Sequence, residues 1–175
     1  PFGMNSLGCF YETGAGVAKD VAEAVKWYRK AAEAGNGFGM CNLGRMYWDG
    51  NGVGKDAAEA VKWFRKAAEA GNTEAMRSLG YMYFDGEDVR KDMAEAFKWY
   101  RKAAEAGDSE AMDALGGAYS RGEGVPKDTA EAIKWFRKSA ELGHKTAMQW
   151  LGEMYQNGWG VARDQQEAQR WFEKA

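Results

Sequence analysis

The sequence repeats itself every 36 residues, and no other feature constrains its fold as strongly. Each copy has a tryptophan, a Leu-Gly pair and a tyrosine at the same places. The tryptophans of the five copies are Trp27, Trp63, Trp99, Trp135 and Trp171. The array divides without insertions into residues 1–36, 37–72, 73–108, 109–144 and 145–175. A fold built from such an array gives each copy nearly the same surroundings.

Each repeat predicts two helices joined by a glycine-rich loop. In the third repeat Met76, Leu79, Gly80 and Tyr83 follow the i, i+3, i+4, i+7 spacing of one helical face. A glycine costs a helix about 1 kcal/mol relative to alanine. Because Gly80 has an equivalent in every repeat, we expect another helix to approach closely there and to leave no room for a side chain.

The loop between the two helices reads Gly-x-Gly-Val-x-Lys-Asp. Its first glycine, Gly14 in the first repeat, is expected to end the first helix in a left-handed conformation. The loop valine is expected to turn back onto the core. The loop aspartate opens the second helix, because Asp20 with Glu23 and their four equivalent pairs match an Asp-x-x-Glu variant of the capping box. The second helix then presents an apolar face of alanines together with Val25 and Tyr28.

Stacking is the way for such helix pairs to bury their apolar faces, because one pair alone cannot do so. We therefore predict an all-α protein, an α/α solenoid of five helix pairs forming one domain. The last helix has Gln169 where the other repeats have an apolar residue, which suits a polar C-terminal capping helix. The first repeat has no comparable polar face and begins within the pattern, so we interpret the chain as a fragment.

Composition argues against several other classes of protein. The 24 basic and 26 acidic residues give a formal net charge of −2, whereas proteins that bind nucleic acid through its phosphates carry a basic excess. No run approaches the ~18 apolar residues of a membrane helix, so no membrane insertion is expected. Two cysteines and one histidine are too few for a disulfide framework or for most metal sites, and we predict no metal and no cofactor. The compartment cannot be read from this sequence.

The repeat as a whole resembles a known family. Its pattern is Ala-Met-x-x-Leu-Gly-x-x-Tyr, then the Gly-x-Gly-Val-x-Lys-Asp loop, then Glu-Ala-x-Lys-Trp-Tyr-x-Lys-Ala-Ala-x-x-Gly. This resembles the Sel-one-like repeat (SLR), a relative of the tetratricopeptide repeat, over all five copies. The resemblance implies a right-handed superhelix of stacked helix pairs and the role of an adaptor or scaffold for protein complexes. Members act in bacterial signalling and host interaction and in eukaryotic protein quality control.

Three departures from the family pattern carry expectations of their own. Cysteine-rich bacterial members join each helix pair by a disulfide, but the position that would pair with Cys41 holds Ala68. Asp88 replaces the second loop glycine and is expected to reshape that loop. Gly3 and Gly39 stand where later repeats have alanine and are expected to weaken the first two helix starts.

Other motifs invite a chemical interpretation that their context does not favour. Residues 50–56 superficially resemble a phosphate loop, but Asp56 stands where a P-loop needs Ser or Thr. The aromatic and basic run 26–30 could stack on nucleic-acid bases, yet its strict period favours packed aromatics with solvated cations. His144 is interpreted as a surface residue at the junction of two repeats. No nucleophile and base can be assembled, so we predict no catalytic residue and no enzyme.

One face of each first helix changes from repeat to repeat while the core face stays the same. This variable face comprises positions 2, 5, 9 and 12 of each repeat. In related solenoids the first helices line the concave surface, so by analogy the variable face lines a groove. Aromatic residues and arginine are typical of binding hot spots. The predicted partner-binding residues are Phe38, Cys41, Arg45, Trp48, Arg77, Tyr81, Phe84 and Asp113.

This pattern predicts a scaffold that binds a peptide or helix of a partner protein, with an aromatic–arginine half in repeats two and three. Glu110, Asp113 and Glu153 make the other half more polar and acidic. Trp150 and Trp159 lie off the period, and Trp159, in a loop, is a secondary candidate contact. Some of the aromatics could instead pack against a neighbouring first helix. Two further alternatives are a small-molecule binder or hydrolase that uses the groove, and a purely structural consensus-like array. We expect a monomeric fragment whose partner is a protein or peptide rather than nucleic acid.

Overall fold

A computed structural model of the chain describes residues 2–175, and all regular secondary structure in this range is helical. The ten helices in this range are α1 (Phe2–Thr13), α2 (Val21–Glu33), α3 (Gly37–Asp49), α4 (Ala57–Glu69), α5 (Thr73–Asp85), α6 (Met93–Glu105), α7 (Ser109–Arg121), α8 (Thr129–Glu141), α9 (Lys145–Asn157) and α10 (Gln165–Lys174). Every repeat therefore forms the predicted helix pair, with odd numbers for first helices and even numbers for second helices. No helix among residues 2–175 combines the length and apolar character needed to cross a bilayer.

The chain forms two compact units, each with its own hydrophobic core. The first unit contains α1 to α4, α5 as far as Met82, and the loop Gly86–Arg90. The second unit contains Tyr83–Asp85 and the chain from Lys91 onward.

Both cores are built in the same way, from a second helix packed against the first helix that follows it. In the first unit Tyr28 of α2 packs with Leu43 and Met46 of α3, and all three are 0% exposed. In the second unit Phe136 of α8 packs with Leu151 of α9. Since α2, α6 and α8 each pack against the first helix of the next repeat, the predicted stacking of helix pairs is confirmed within each unit.

The Leu-Gly glycines lie where the two helices of one repeat touch. A Cβ on Gly44 would lie 2.9 Å from the Phe64 ring, and a Cβ on Gly116 would lie 2.5 Å from the Phe136 ring. Real Cβ atoms essentially never approach another atom within 3.0 Å. The predicted close approach is therefore confirmed at Gly8, Gly44, Gly116 and Gly152.

The helix ends follow the predicted signals, with one correction. The first glycine of every loop has a positive φ, between 68° and 79°. The Asp20 carboxylate accepts the Glu23 N–H at 2.9 Å, and the equivalent aspartates do the same. The reciprocal half of the capping box was predicted wrongly. Glu23 pairs with Lys26 at 2.7 Å, and the Asp20 N–H donates to the Tyr11 carbonyl at 2.9 Å.

Each periodic tryptophan lies beneath the lysine three residues later. The Lys30 ammonium is 4.2 Å from the centre of the Trp27 ring, and the distance in the other repeats is 4.3–4.6 Å. A cation placed over an aromatic face is attracted by the ring quadrupole. The aromatic and basic run 26–30 thus has the packed arrangement that its period favours.

Two expectations about single residues of the first unit have different outcomes. Gly39 does not merely weaken α3, because a Cβ there would lie 2.6 Å from the Ala31 Cβ and the glycine permits close contact. A Cβ on Gly3 would meet nothing within 4 Å, so no contact accounts for that glycine.

Cys9 and Cys41 are both free thiols.

Candidate functional site

The variable face of the first unit presents two strongly exposed aromatic side chains. Phe38, near the start of α3, is 59% exposed, and Tyr81 of α5 is 47% exposed. Arg77 is half-buried on the same helix as Tyr81. Cys41 is only 3% exposed, so its side chain is not available to a partner. Burial raises the pKa of its thiol to about 12, which keeps it protonated and unreactive near neutral pH.

Trp48 is held in place by two rings and a hydrogen bond. Its ring centre lies 6.1 Å from that of Phe64, edge to face, and 5.7 Å from that of Tyr81. Its indole N–H donates to Asp88 Oδ2 at 2.9 Å. Trp48 therefore presents only part of its surface and supports the more exposed Tyr81 from one side.

Asp88 reshapes its loop as predicted. The equivalent glycines Gly16 and Gly52 have φ values of 78° and 72°, whereas no residue other than glycine has a positive φ within residues 2–175. The Asp88 carboxylate binds the Lys55 ammonium at 2.8 Å as well as the Trp48 indole. The hydrogen bond from Lys55 and, to a smaller extent, that from Trp48 hold the pKa of Asp88 below its usual value. The exceptional loop thus fixes a residue of the variable face.

Arg45 takes part in an internal ion pair. Its Nη2 lies 2.8 Å from Glu12 Oε2, which also accepts the Tyr28 hydroxyl at 2.5 Å. The side chains of Arg45 and Glu12 are 34% and 19% exposed. Burial alone would raise the pKa of Glu12, but the hydrogen bonds from Arg45 and Tyr28 outweigh it and the pKa lies below its usual value. The charge of Arg45 is therefore matched within the protein.

The same three repeat positions meet at both of these junctions, and we call each meeting point a node. A node joins positions 12 and 28 of one repeat to position 9 of the next. The members are Glu12, Tyr28 and Arg45 at the first junction, and Trp48, Phe64 and Tyr81 at the second. Sequence reasoning missed these groupings, although the signal was present. Positions 9 and 12 both vary between repeats, and position 12 of one repeat is always followed at the same spacing by position 9 of the next.

The variable face of the second unit has smaller and more polar side chains. Phe84 is half-buried, and the Lys91 ammonium lies 5.4 Å from its ring centre. Gly117 is buried, and a Cβ there would lie 3.0 Å from Nη2 of Arg121. The Arg121 guanidinium therefore covers the place where other repeats carry a large side chain. The secondary candidate Trp159 is 50% exposed, and Trp150, the other tryptophan off the period, is 38% exposed.

Asp113 faces His144, the residue that immediately precedes α9. Asp113 Oδ1 and His144 Nδ1 are 3.8 Å apart, and both atoms are buried without a hydrogen-bond partner. Burial raises the pKa of Asp113, and the electrostatic effects of His144, when it is protonated, and of Arg121 only partly oppose this. The junction residue His144 is thus half-buried beside a carboxylate.

The structure distributes the eight predicted contact residues over the two units. Phe38, Cys41, Arg45, Trp48, Arg77 and Tyr81 belong to the first unit, and Phe84 and Asp113 to the second. Within the first unit it brings Trp48 and Tyr81 into contact. Residues 2–175 contain no group of three or more His, Cys, Asp or Glu side chains placed to hold a metal ion.

Comparison with solved structures places this architecture among SLR proteins. A protective antigen of uropathogenic Escherichia coli that displays an SLR fold is 44% identical, with a TM-score of 0.93. That alignment covers 98% of this chain and 37% of the antigen, so the chain spans just over a third of the antigen's length. A Sel1 repeat protein from Oxalobacter formigenes is 43% identical, with a TM-score of 0.91, over 98% of this chain and 70% of that one.

A more distant likeness links the chain to Helicobacter pylori cysteine-rich protein B. The identity is 31% and the TM-score 0.59, over 74% of this chain and 92% of that one. A search of curated proteins gives no significant match. The family model of the Sel1 repeat matches residues 1–36, 37–72, 73–108, 109–144 and 145–175. With matches along its whole length and the fold of its structural relatives, the chain belongs to the Sel1 repeat family and is an α/α solenoid.

Proposed function

We propose that this chain is a non-enzymatic scaffold that binds a peptide or helix of a partner protein on its variable face. The observation that carries the proposal is the exposure of Phe38 and Tyr81, at 59% and 47%, on the one face that changes between repeats. Exposed aromatic surface of this kind is typical of protein interaction sites. Family membership supports the proposal, since Sel1 repeat proteins generally mediate protein–protein interactions and are typically non-enzymatic.

The second node prepares Tyr81 for binding. Trp48 lies against one side of the Tyr81 ring and is itself fixed by Asp88 and Phe64. A ring that is already held loses little conformational freedom when a partner covers it, so less of the binding free energy is lost to ordering. Tyr81 is therefore proposed as a rigid anchor, with Phe38 as a second aromatic contact.

The charges of the first unit shape the partner that this surface would accept. Arg45 is paired with Glu12, and Lys55 is paired with Asp88. A partner could form ion pairs with Arg45 or Lys55 only by replacing these internal pairs, and such an exchange at partly exposed positions gains little affinity. We therefore propose that the segment bound here presents apolar or aromatic side chains. Arg77 is kept as a polar contact at the edge.

The remaining predicted contacts form a separate proposal for the second unit. Phe84 and Asp113 lie on its more polar variable face, beside Lys91 and His144. We propose that they contact a polar segment of a partner protein. Binding through Phe38 and Tyr81 does not depend on them.

Affinity capture with matched variants tests the proposal. The unmodified chain, Phe38→Ser/Tyr81→Ser and Phe10→Ser are immobilised, and proteins retained from a lysate of the source organism are identified by mass spectrometry. Trp48 is left unchanged, because its contacts with Phe64 and Asp88 make it part of the folded framework. A retained protein is then purified and its affinity for each variant is measured by calorimetry.

The expected result is a partner that the unmodified chain and Phe10→Ser bind equally and the double variant binds at least ~100-fold more weakly, the effect of losing a hot-spot pair. Phe10 lies in the same unit, is 45% exposed and is not a predicted contact, so its replacement controls for general loss of aromatic surface. Circular dichroism should show the same helicity in all three proteins. Equal affinity for the double variant would contradict the proposed site.

A further inference from the structure

We propose that His144 and Asp113 form a proton-operated contact between α7 and α9, open when the imidazole is neutral and closed as an ion pair when it is protonated. The inference concerns the second unit alone and is independent of the proposed partner site in the first.

His144 occupies a position at which other repeats have a helix-capping side chain. Asn36, Asn72 and Asp108 each accept the backbone N–H of the residue three positions later, at 2.8 Å. His144 makes no such bond at the start of α9. Its Nδ1 lies instead 3.8 Å from Asp113 Oδ1. With histidine where other repeats have asparagine or aspartate, the capping hydrogen bond is absent and the side chain lies near a residue of another helix.

Asp113 also lacks the partner that its position has elsewhere. In the first repeat the equivalent residue, Asn5, accepts a hydrogen bond from Asn42 at 3.0 Å. The residue equivalent to Asn42 is Trp150, whose ring stacks on Phe136 with 6.1 Å between centres. Asp113 Oδ1 is consequently buried without a hydrogen-bond partner. Two exceptional residues thus leave two unsatisfied polar atoms facing each other.

Protonation removes both deficits together. A buried polar atom without a partner is costly, and a buried carboxylate is more so. A neutral imidazole carries its hydrogen on one ring nitrogen only. Taking up one proton from water places a hydrogen on both ring nitrogens of His144 and gives the ring a positive charge, so the Nδ1–H donor and the attraction to the carboxylate are then both present. An approach of about 1 Å then brings Nδ1–H within hydrogen-bond distance of Asp113 Oδ1. Histidine is the side chain that ordinarily changes charge between pH 5 and 8.

The neighbouring charged and polar groups named here are paired elsewhere, bonded to the His144 backbone or exposed to solvent. On α7, Arg121 also acts on Asp113, but it is paired with Glu123 at 2.8 Å. From α8, the Ser139 carbonyl accepts the backbone N–H of His144 at 3.2 Å. On α9, Lys145 follows His144 and is exposed. Asp113 is thus the carboxylate that the structure places against the imidazole, and its pKa is raised by burial.

Closure would act on the variable face of the second unit. Asp113 occupies position 5 of that face in the fourth repeat, and His144 immediately precedes the first helix of the fifth. Joining them ties the two first helices of this unit together at mildly acidic pH. At higher pH this ion pair is absent.

Amide hydrogen exchange of the whole chain, followed by NMR, tests the contact. Protection of the first turn of α9 is measured between pH 6 and 8 and corrected for the intrinsic exchange rate. We expect about fivefold greater protection at pH 6, the effect of one partly exposed ion pair. The change should follow the titration of the ring proton signals, which belong unambiguously to His144 because the sequence has one histidine.

Two variants decide between this contact and a general effect of pH. Asp113→Asn keeps the imidazole but removes the carboxylate, and it should abolish or invert the response, because a cation at a helix N-terminus is unfavourable. His144→Asn supplies the cap found in repeats two and three and should be protected equally at both pH values. An unchanged pH response in either variant, or no response in the unmodified chain, would overturn the proposal.

Discussion

Two neighbouring glycines of α7 provide a sharp test of the packing described above. Gly116→Ala and Gly117→Ala each remove one glycine from the interior of the same helix. Each substitution should gain about 1 kcal/mol of helix propensity. Their surroundings differ, because the new Cβ at Gly117 meets the mobile end of Arg121 at 3.0 Å, and that at Gly116 meets the Phe136 ring at 2.5 Å.

The expected difference in stability between the two variants depends on whether the neighbouring side chain can move away from the new Cβ. The Arg121 guanidinium is at the end of a flexible side chain and can withdraw at little cost, so Gly117→Ala should stabilise the protein by about 0.5–1 kcal/mol. Phe136 is 2% exposed, and its ring must shift by about 1 Å to reach ordinary contact distance. Forced repacking of this kind costs about 1–3 kcal/mol. We take the upper value because the ring and the helix are both held in place. After the gain of about 1 kcal/mol in helix propensity is subtracted, Gly116→Ala should lower the free energy of unfolding by about 2 kcal/mol.

Urea unfolding followed by far-ultraviolet circular dichroism measures both changes. The midpoint should rise for Gly117→Ala and fall for Gly116→Ala. The double variant Gly116→Ala/Phe136→Leu should be more stable than the sum of its single changes predicts, because leucine lacks the ring atoms that clash. If Gly116→Ala were as stable as Gly117→Ala, the account of the Leu-Gly pair as a steric requirement would be refuted.

Three further outcomes concern the first unit. Glu12→Gln should lower the free energy of unfolding by about 1–2 kcal/mol at pH 7. Because the pKa of Glu12 is depressed, this difference should vanish as the pH falls through its folded-state pKa, as a series of urea unfolding curves from pH 7 into the acidic range would show. Cys41, 3% exposed and with its pKa raised to about 12, should resist alkylation of the folded protein, whereas the half-buried Cys9 should react first in a mass-spectrometric time course. Asp88→Gly should red-shift and broaden the Trp48 contribution to the fluorescence spectrum, since its indole loses its acceptor and gains contact with water; an unchanged difference spectrum against Trp48→Phe would contradict that bond.

The sequence was sufficient to predict the helix pairs, their boundaries and the requirement for glycine beside the second-helix ring. These properties recur in every repeat, so five independent copies report the same local physics. The period also separated the variable face from the core. The capping box failed in its second half because the choice of Glu23 between the Asp20 N–H and Lys26 depends on the path of the preceding helix end, which brings the Tyr11 carbonyl within reach.

The parts of the site that sequence reasoning missed are those where the copies differ. Glu12 and Arg45 belong to different repeats, and the structure joins them to Tyr28, which donates to the same Glu12 oxygen. The predicted contact Cys41 is buried, because position 5 of α3 is covered although the same position of α5 is half-buried. A helical wheel assigns a face but not how much of it a neighbouring helix covers.

The nodes have a consequence for how such a chain can change over evolutionary time. Each node draws residues from two successive repeats. The residues that must remain compatible with one another are therefore spread over two adjacent repeats and are not contained in one 36-residue copy. Excision of residues 37–72 would preserve the reading frame of the repeat yet set Tyr81 opposite Glu12, a carboxylate deprived of Arg45. Lineages that lengthen or shorten this array by recombination are therefore expected to retain crossovers whose junctions keep position 9 matched to position 12 of the copy before it.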